Sequence, residues 1–426
     1  MMDSGLSFTS LIAPFLMAAS AAFLVHTYVL FPIAMIWLQK RGVRYGPAVH
    51  LKAGKSPNKL PTVTVVIAAY NAADHIEAKL HSCLALDYPS DRLFVLVVSD
   101  GSHDATDAIV MRFADQHRRV RLVSMPRRSG KAACINEAVQ NTQSELLLLT
   151  DARQMIDPAA ARYLASHFDD QAVGAVSGSL EIARSGKAGV VESAGAYWRL
   201  EKKLRGAEAS VHSAIGVTGA IYMLRRADFK PIPQETILDD VLIPMNAVMS
   251  GKRVLFDWRA LAFDSASESE EQERARKIRT LAGNFQLMAL RPGLLNPFRN
   301  PVWAQFMSHK VFRVIAPVAL AVFLLADAAV APTSPAWAIL LVAQLVVYAI
   351  TILPEFNSRP WNTVVIRLCN TVRGFVRLQW YAVLGFVWYL KNRQPHIWPT
   401  TQRRAAAGRR MPAEPWRHSQ LPPGSS

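Results

Sequence analysis

Three apolar runs in this chain end on acids: Asp100 follows FVLVVS, Asp151 follows ELLLLT, and Asp239 and Asp240 follow TIL. A carboxylate just past a buried strand lies at the carboxyl edge of its sheet, where open α/β sheets bind ligands. Acids placed there can hold a hard cation or take a proton from a hydroxyl. Cations stand near them in sequence: Lys131 in the turn PRRSGK, Arg153 two residues after Asp151, and Arg276 and Arg279 within EEQERARKIR. Two arginines at i and i+3 share a helix face and can fork onto phosphate oxygens. Each motif also has a plain structural reading. The paired acids could cap the helix VLIPMNAVM, PRRSGK could be a surface turn, and EEQERARKIR a solvated helix. Capping needs one acid, not two, so the Asp239–Asp240 pair points to chemistry.

The elements that would position these residues are α/β in pattern. The runs VTVVIAAYN, RLFVLVVSDG, ELLLLTD and AVGAVSGSLEI alternate with helical stretches such as DHIEAKLHSCL, AACINEAVQ and DPAAARYLASHF. Asp157 caps the last of these, with Pro158 in its first turn. Continuous apolar strands between amphipathic helices predict a mostly parallel, Rossmann-like sheet covered on both faces. Short strands are expected near GAIYML and RVLFD within a more helical region from residue 185 to about 290. Two familiar nucleotide signatures are absent. No GxGxxG follows the first strand, and Gly130–Lys131 has neither the upstream glycine nor the following Ser or Thr of a Walker A loop.

Apolar segments flank this region. Residues 11–38 carry no charge over 28 positions, longer than the roughly 20 residues that span a bilayer. A cleaved leader would carry its cations before the apolar core; here Lys40, Arg41 and Arg44 follow it and place the next domain in the cytosol by the positive-inside rule. The expected organisation is a transmembrane helix (1–41), a linker (42–61), an α/β catalytic domain (62–292) and an interfacial helix (293–311). A membrane region (312–391) and a basic, poorly ordered tail (392–426) follow. Residues 312–332 and 335–354 read as a hairpin of crossing helices. The stripe Arg367, Asn370, Arg373 and Arg377 suits a helix along the interface better than one through hydrocarbon. His26, inside the first segment, is expected to be hydrogen-bonded.

Composition narrows the partners. Of 426 residues 51% are apolar, too few for a polytopic transporter, and the net charge of +16 is concentrated beside the apolar segments. That distribution suits anionic headgroups, and no motif of a nucleic-acid-binding module is present. Three widely spaced cysteines form neither a disulfide framework nor a zinc site.

The stretches VIAAYN (66–71), SDGSHDAT (99–106), GKAACINEA (130–138), TDAR (150–153), VSGSL (176–180), GVTGAIYMLRR (216–226), LDD (238–240) and RKIRT (276–280) resemble, in order, the membrane-anchored family 2 glycosyltransferases. These GT-A-fold relatives include cellulose, hyaluronan and poly-N-acetylglucosamine synthases. SHK beside Arg313 and W-x-x-x-x-R from Trp398 to Arg403 fit the same likeness. The resemblance implies a UDP-sugar donor, with Ala68, Tyr70 and Asn71 seating the uracil and Asp100 the uridine end. Lys131 would join the phosphate environment, and Arg276 and Arg279 would grip the diphosphate. Asp151 stands at the first acid of the family's D-x-D, which binds Mg²⁺ or Mn²⁺. Arg153 replaces the second acid and could meet phosphate directly. Asp240 takes the place of the family's catalytic base, with Asp239 orienting it, in a single inverting displacement. Thr280 replaces the Trp that underlies the acceptor sugar in polymer synthases. The implied acceptor is a saccharide or a lipid-linked saccharide at the cell membrane, in extracellular polysaccharide synthesis with possible export subunits. A single-sugar lipid glycosyltransferase and a non-catalytic assembly subunit are the alternatives.

The topology is testable. With three crossings the tail stays in the cytosol, so a single cysteine near Ser425 should react with an impermeant thiol reagent only after permeabilisation. Labelling of intact cells would show that residues 361–391 cross.

Overall fold

A computed structural model describes residues 11–44, 60–183, 188–265, 270–351 and 363–392. Most of the expected linker, the basic tail and the W-x-x-x-x-R motif lie outside them. The described strands are β1 (Val63–Ala69), β2 (Leu93–Ser99), β3 (Val120–Ser124), β4 (Leu146–Asp151), β5 (Met155–Ile156), β6 (Val173–Ala183), β7 (Tyr222–Arg225) and β8 (Arg253–Ser265). The helices are α1 (Ala13–Lys40), α2 (Ala73–Leu84), α3 (Thr106–Gln116), α4 (Lys131–Gln140), α5 (Ala160–Ala165), α6 (Ala188–Val211), α7 (Asp239–Met249), α8 (Glu270–Leu290), α9 (Trp303–Thr333), α10 (Pro335–Ala349) and α11 (Thr363–Lys391).

All eight strands join one sheet in the order β3-β2-β1-β4-β7-β6-β8-β5. β7 runs against its neighbours β4 and β6, and β5 runs against β8; the other pairings are parallel. Alternate side chains of a strand face opposite ways. Val65, Ile67, Leu146 and Leu148 therefore enter one core while Val66, Leu147 and Leu149 enter the other. This explains the four leucines of ELLLLT: both faces of β4 are covered, so Leu146 to Leu149 are all apolar. Burying such a side chain contributes roughly 1.5–3 kcal/mol.

The mostly parallel α/β sheet expected from sequence is what forms, including the short strands at GAIYML and RVLFD. Two strands went unread. β3 is an edge strand whose burial is only partial, and Arg121 within it breaks the apolar run. β5 is two residues long.

Two described helices, α1 and α9, are long and apolar enough to cross a membrane, and α10 is apolar but short. Residues 303–311, expected within a separate interfacial helix, form the first turns of α9. Phe306 joins the core of the domain and Gln305 and His309 bond Glu208 of α6, while Ser308 faces α1. His26 Nε2 lies 3.0 Å from Ser308 Oγ, the hydrogen bond anticipated for it.

α8 is pinned from both sides. A Cβ at Gly283 would come within 2.6 Å of Leu238 Cγ, and one at Gly385 of α11 within 3.0 Å of the Ala282 backbone nitrogen. Arg377 of α11 reaches Glu270 at 3.5 Å. Gly385→Val should therefore push α11 off α8. Hydrogen exchange should then speed up over 270–290 and 363–391 while β1–β4 keep their protection; unchanged exchange in α8 would refute that coupling.

Candidate active site

The strand order reverses between β1 and β4. β2 and β3 extend from one side of β1, and β4 pairs on the other, with Ala68 in register with Asp151. Such a switch point opens a crevice beyond the carboxyl ends of the strands. A cleft of about 420 Å³ lies there, lined among others by Lys131, Asp151, Asp239, Asp240, Arg276, Arg279 and Thr280.

Lys131 is at its centre. Its ammonium is 2.8 Å from Asp151 Oδ1 and 3.1 Å from Asp239 Oδ2. Seen from Gly219, an added Cβ would lie 3.5 Å from Lys131 Nζ, 3.7 Å from Asp240 Oδ2 and 3.8 Å from Asp151 Oδ2. Three carboxylates from β4 and α7 thus face one cation from α4. Burial would lower the lysine's pKa, but Asp151, Asp239 and Asp240 together outweigh it and hold it above its ordinary value. For Asp240, burial and then the neighbouring Asp239 push the pKa up to about 6; Lys131 and Lys310 pull the other way and Asp151 adds to the rise.

Asp100 sets the position of Lys131. Its Oδ1 accepts from Ser129 N at 2.6 Å and its Oδ2 from Gly130 N at 2.9 Å, just before α4 begins. Gly130 has φ +92°, a conformation in which a side chain would be strained. Ser102 Oγ accepts from Asn71 N, and Asp104 accepts from Thr106 N at the start of α3. Asn71, at φ +47°, accepts from His103 N and so ties the loops after β1 and β2 together. Tyr70 lies under the Arg128 guanidinium, 4.0 Å from ring centroid to carbon.

The structure therefore gathers six of the sequence candidates, Lys131, Asp151, Asp239, Asp240, Arg276 and Arg279, around the cleft. Ala68, Tyr70, Asn71 and Asp100 lie in or just beyond β1 and β2, outside that lining. Arg153 pairs with buried Asp264 at 2.5 Å, and Gln154 bonds the same carboxylate oxygen at 3.0 Å. Asp264 lines the cleft and was not singled out, although LAFD carries the same strand-end signal as LLLLTD. Arg276 bonds Glu273 on an exposed turn, whereas Arg279 Nε is buried without a hydrogen-bond partner. That orphan donor sits on a cleft residue and could meet a phosphate oxygen.

No group of three acids, histidines or cysteines that could hold a metal by itself occurs among the described residues. Asp151 nevertheless bonds Lys131 through Oδ1 only, and the buried Oδ1 of Asp264 accepts no hydrogen bond. Hard carboxylate oxygens around a shared cleft fit Mg²⁺ or Mn²⁺, provided the ligand's phosphates complete the shell.

The curled mixed sheet of eight strands, with acids at its switch point, is of the GT-A type. Residues 64–231 match the model for glycosyl transferase family 2, and the chain carries a domain of that family. It is similar to the poly-beta-1,6-N-acetyl-D-glucosamine synthase of Staphylococcus aureus (strain MSSA476), with 22% identity over 253 residues, 58% of this chain and 60% of that one. The Staphylococcus epidermidis synthase is 23% identical over 235 residues, 53% of this chain and 55% of that one. The chain thus spans 60% or less of the length of these relatives. A mannosyltransferase from Pyrobaculum calidifontis, solved with GDP-Man and Mn²⁺, shares the fold with a TM-score of 0.65 at 22% identity. The match covers 89% of this chain and 99% of that one.

The charge arrangement predicts a pH profile. A carboxylate raised to about 6 is half ionised there, so a step needing it as a base should gain rate from pH 5 to 7. Asp239→Asn removes a neighbour that raises Asp240 and should move the midpoint down. Lys131→Met removes one that lowers it and should move the midpoint up. Profiles of kcat/KM for the two variants shifting the same way would contradict this reading.

Proposed function

We propose that this glycosyltransferase moves a sugar from a UDP-sugar, with inversion, to a hydroxyl of a saccharide or lipid-linked acceptor at the membrane surface. The observation that carries the reading is the meeting, in one cleft, of a raised carboxylate with the cations Lys131, Arg276 and Arg279. Asp240 accepts the proton of the acceptor hydroxyl. That oxygen bonds the anomeric carbon from one face as the bond to the diphosphate oxygen breaks on the other. The leaving diphosphate takes the bonding pair, and Arg279, Arg276 and Lys131 are the cations that receive its charge. Asp239, held by Lys131, keeps Asp240 raised and oriented. A divalent ion on Asp151 would supply further charge to the diphosphate. α1 and α9 would anchor the domain in the cell membrane with its catalytic face in the cytosol, and the S. aureus and S. epidermidis likeness supports a place in extracellular polysaccharide synthesis.

Thr280 favours a second reading of the acceptor. It lines the cleft but offers no plane for a sugar to stack on, which suits a single addition to a lipid-linked acceptor rather than processive synthesis.

Purified protein given UDP- and GDP-sugars with Mg²⁺ or Mn²⁺ should release UDP; release of GDP alone would overturn the donor assignment. Asp240→Asn should bind the donor normally and lose about 10²–10⁴-fold in transfer, the usual share of a general base. A fully active Asp240→Asn would end its assignment. Excess EDTA should abolish turnover, and activity indifferent to EDTA would remove Asp151 as a metal ligand.

A further inference from the structure

Lys79 is fully buried on the inner face of α2, the least common place for a lysine. Its Nζ donates to Thr150 Oγ1 at 2.7 Å and to the Gln154 carbonyl at 2.5 Å. Among the described residues no carboxylate lies within ion-pair distance of it. A buried cation held by neutral acceptors costs stability, and an apolar side chain of similar volume would cost less. The two acceptors explain the position. One is the residue before Asp151 and the other follows Arg153, so a single ammonium clamps both ends of the turn that carries them. Thr150 Oγ1 in turn donates to the Ala220 carbonyl at 2.7 Å, joining the Thr218–Ala220 loop to the same anchor. Gln154 continues the chain to Asp264. Asp151, Gln154, Gly219, Ala220 and Asp264 all line the cleft.

We propose that Lys79 is a positioning residue that fixes the floor of the cleft from beneath, keeping the Asp151 carboxylate and the Gly219 loop in register for a nucleoside diphosphate. The proposal rests on the donor site argued above. It needs no contact between Lys79 and any ligand. Its effect passes through Thr150 and the Gln154 carbonyl.

The test opposes stability to function. Lys79→Met keeps the length of the side chain and removes its donors. It should leave the melting temperature unchanged or raised, weaken UDP binding by about tenfold or more in calorimetry, and lower kcat with little change in acceptor KM. Thr150→Val breaks the same chain and should reproduce the UDP defect, with the double variant no worse than the single ones. Amide exchange over 150–156 and 218–221 should accelerate in both. Thr150→Ser, which keeps the hydroxyl, should restore wild-type behaviour. A Lys79→Met protein that melts lower yet binds UDP within twofold of wild type would make Lys79 a stability residue only and overturn the proposal, as would multiplicative defects in the double variant. If wild-type protein binds neither UDP nor GDP, the donor reading fails. The exchange measurement then still decides whether Lys79 holds the floor.

Discussion

The site depends on one ammonium placed between carboxylates. Asp151, Asp239 and Asp240 come from two elements and would repel one another across a partly buried cleft. Lys131 makes their approach possible: it lies within 3.1 Å of two of them and lowers the pKa of the third. Its own position is fixed at a distance. Asp100, at the end of β2, holds the backbone of the turn before α4, so the first residue of that helix projects into the switch point rather than into solvent. The strand-end acid read as a ligand group thus also supports the cation that organises the others.

The same arrangement carries a thermodynamic cost. An acid raised to about 6 from an ordinary value near 3.8 binds a proton more tightly folded than unfolded. Its contribution favours the fold at low pH and is lost as pH rises from about 4 through 6. Above that range Asp240 is charged, as the proposed base must be, although the fold prefers the acid. Rigid backing makes such a conflict tolerable. α7 starts at Asp239, Leu238 before it is packed on Gly283 of α8, and α8 is held in turn by α11. The surrounding structure over-determines a charge arrangement that would otherwise relax.

Much of this was legible in the chain because strand-end position and charge are local properties. Asp151, Asp239 and Asp240 could be placed from the apolar runs before them, and Arg279 from its helical spacing with Arg276. Asp264 was legible by the same rule and overlooked, since its run is shorter and interrupted by Arg259. What could not be read was pairing. The sheet brings β8 beside β5 and gives Arg153, a candidate phosphate partner in the sequence, Asp264 as a partner 111 residues away. The role of Asn71 likewise depends on a loop that follows a different strand.

Lys79 shows the limit from the other side. In DHIEAKLHSCL the apolar positions Ile76, Leu80 and Cys83 mark the buried face, and position 79 belongs to that face by helical spacing. Periodicity alone therefore puts a lysine in the core. Amphipathic reading passes over such a residue because a long side chain can usually snorkel outward. Here it cannot. The side chain is fully buried against the sheet, and its hydrogen-bond acceptors, Thr150 Oγ1 and the Gln154 carbonyl, flank the turn that carries Asp151. A charge that breaks the hydrophobic pattern is affordable only where the backbone supplies its partners, and in this fold those partners sit immediately under the acids of the cleft.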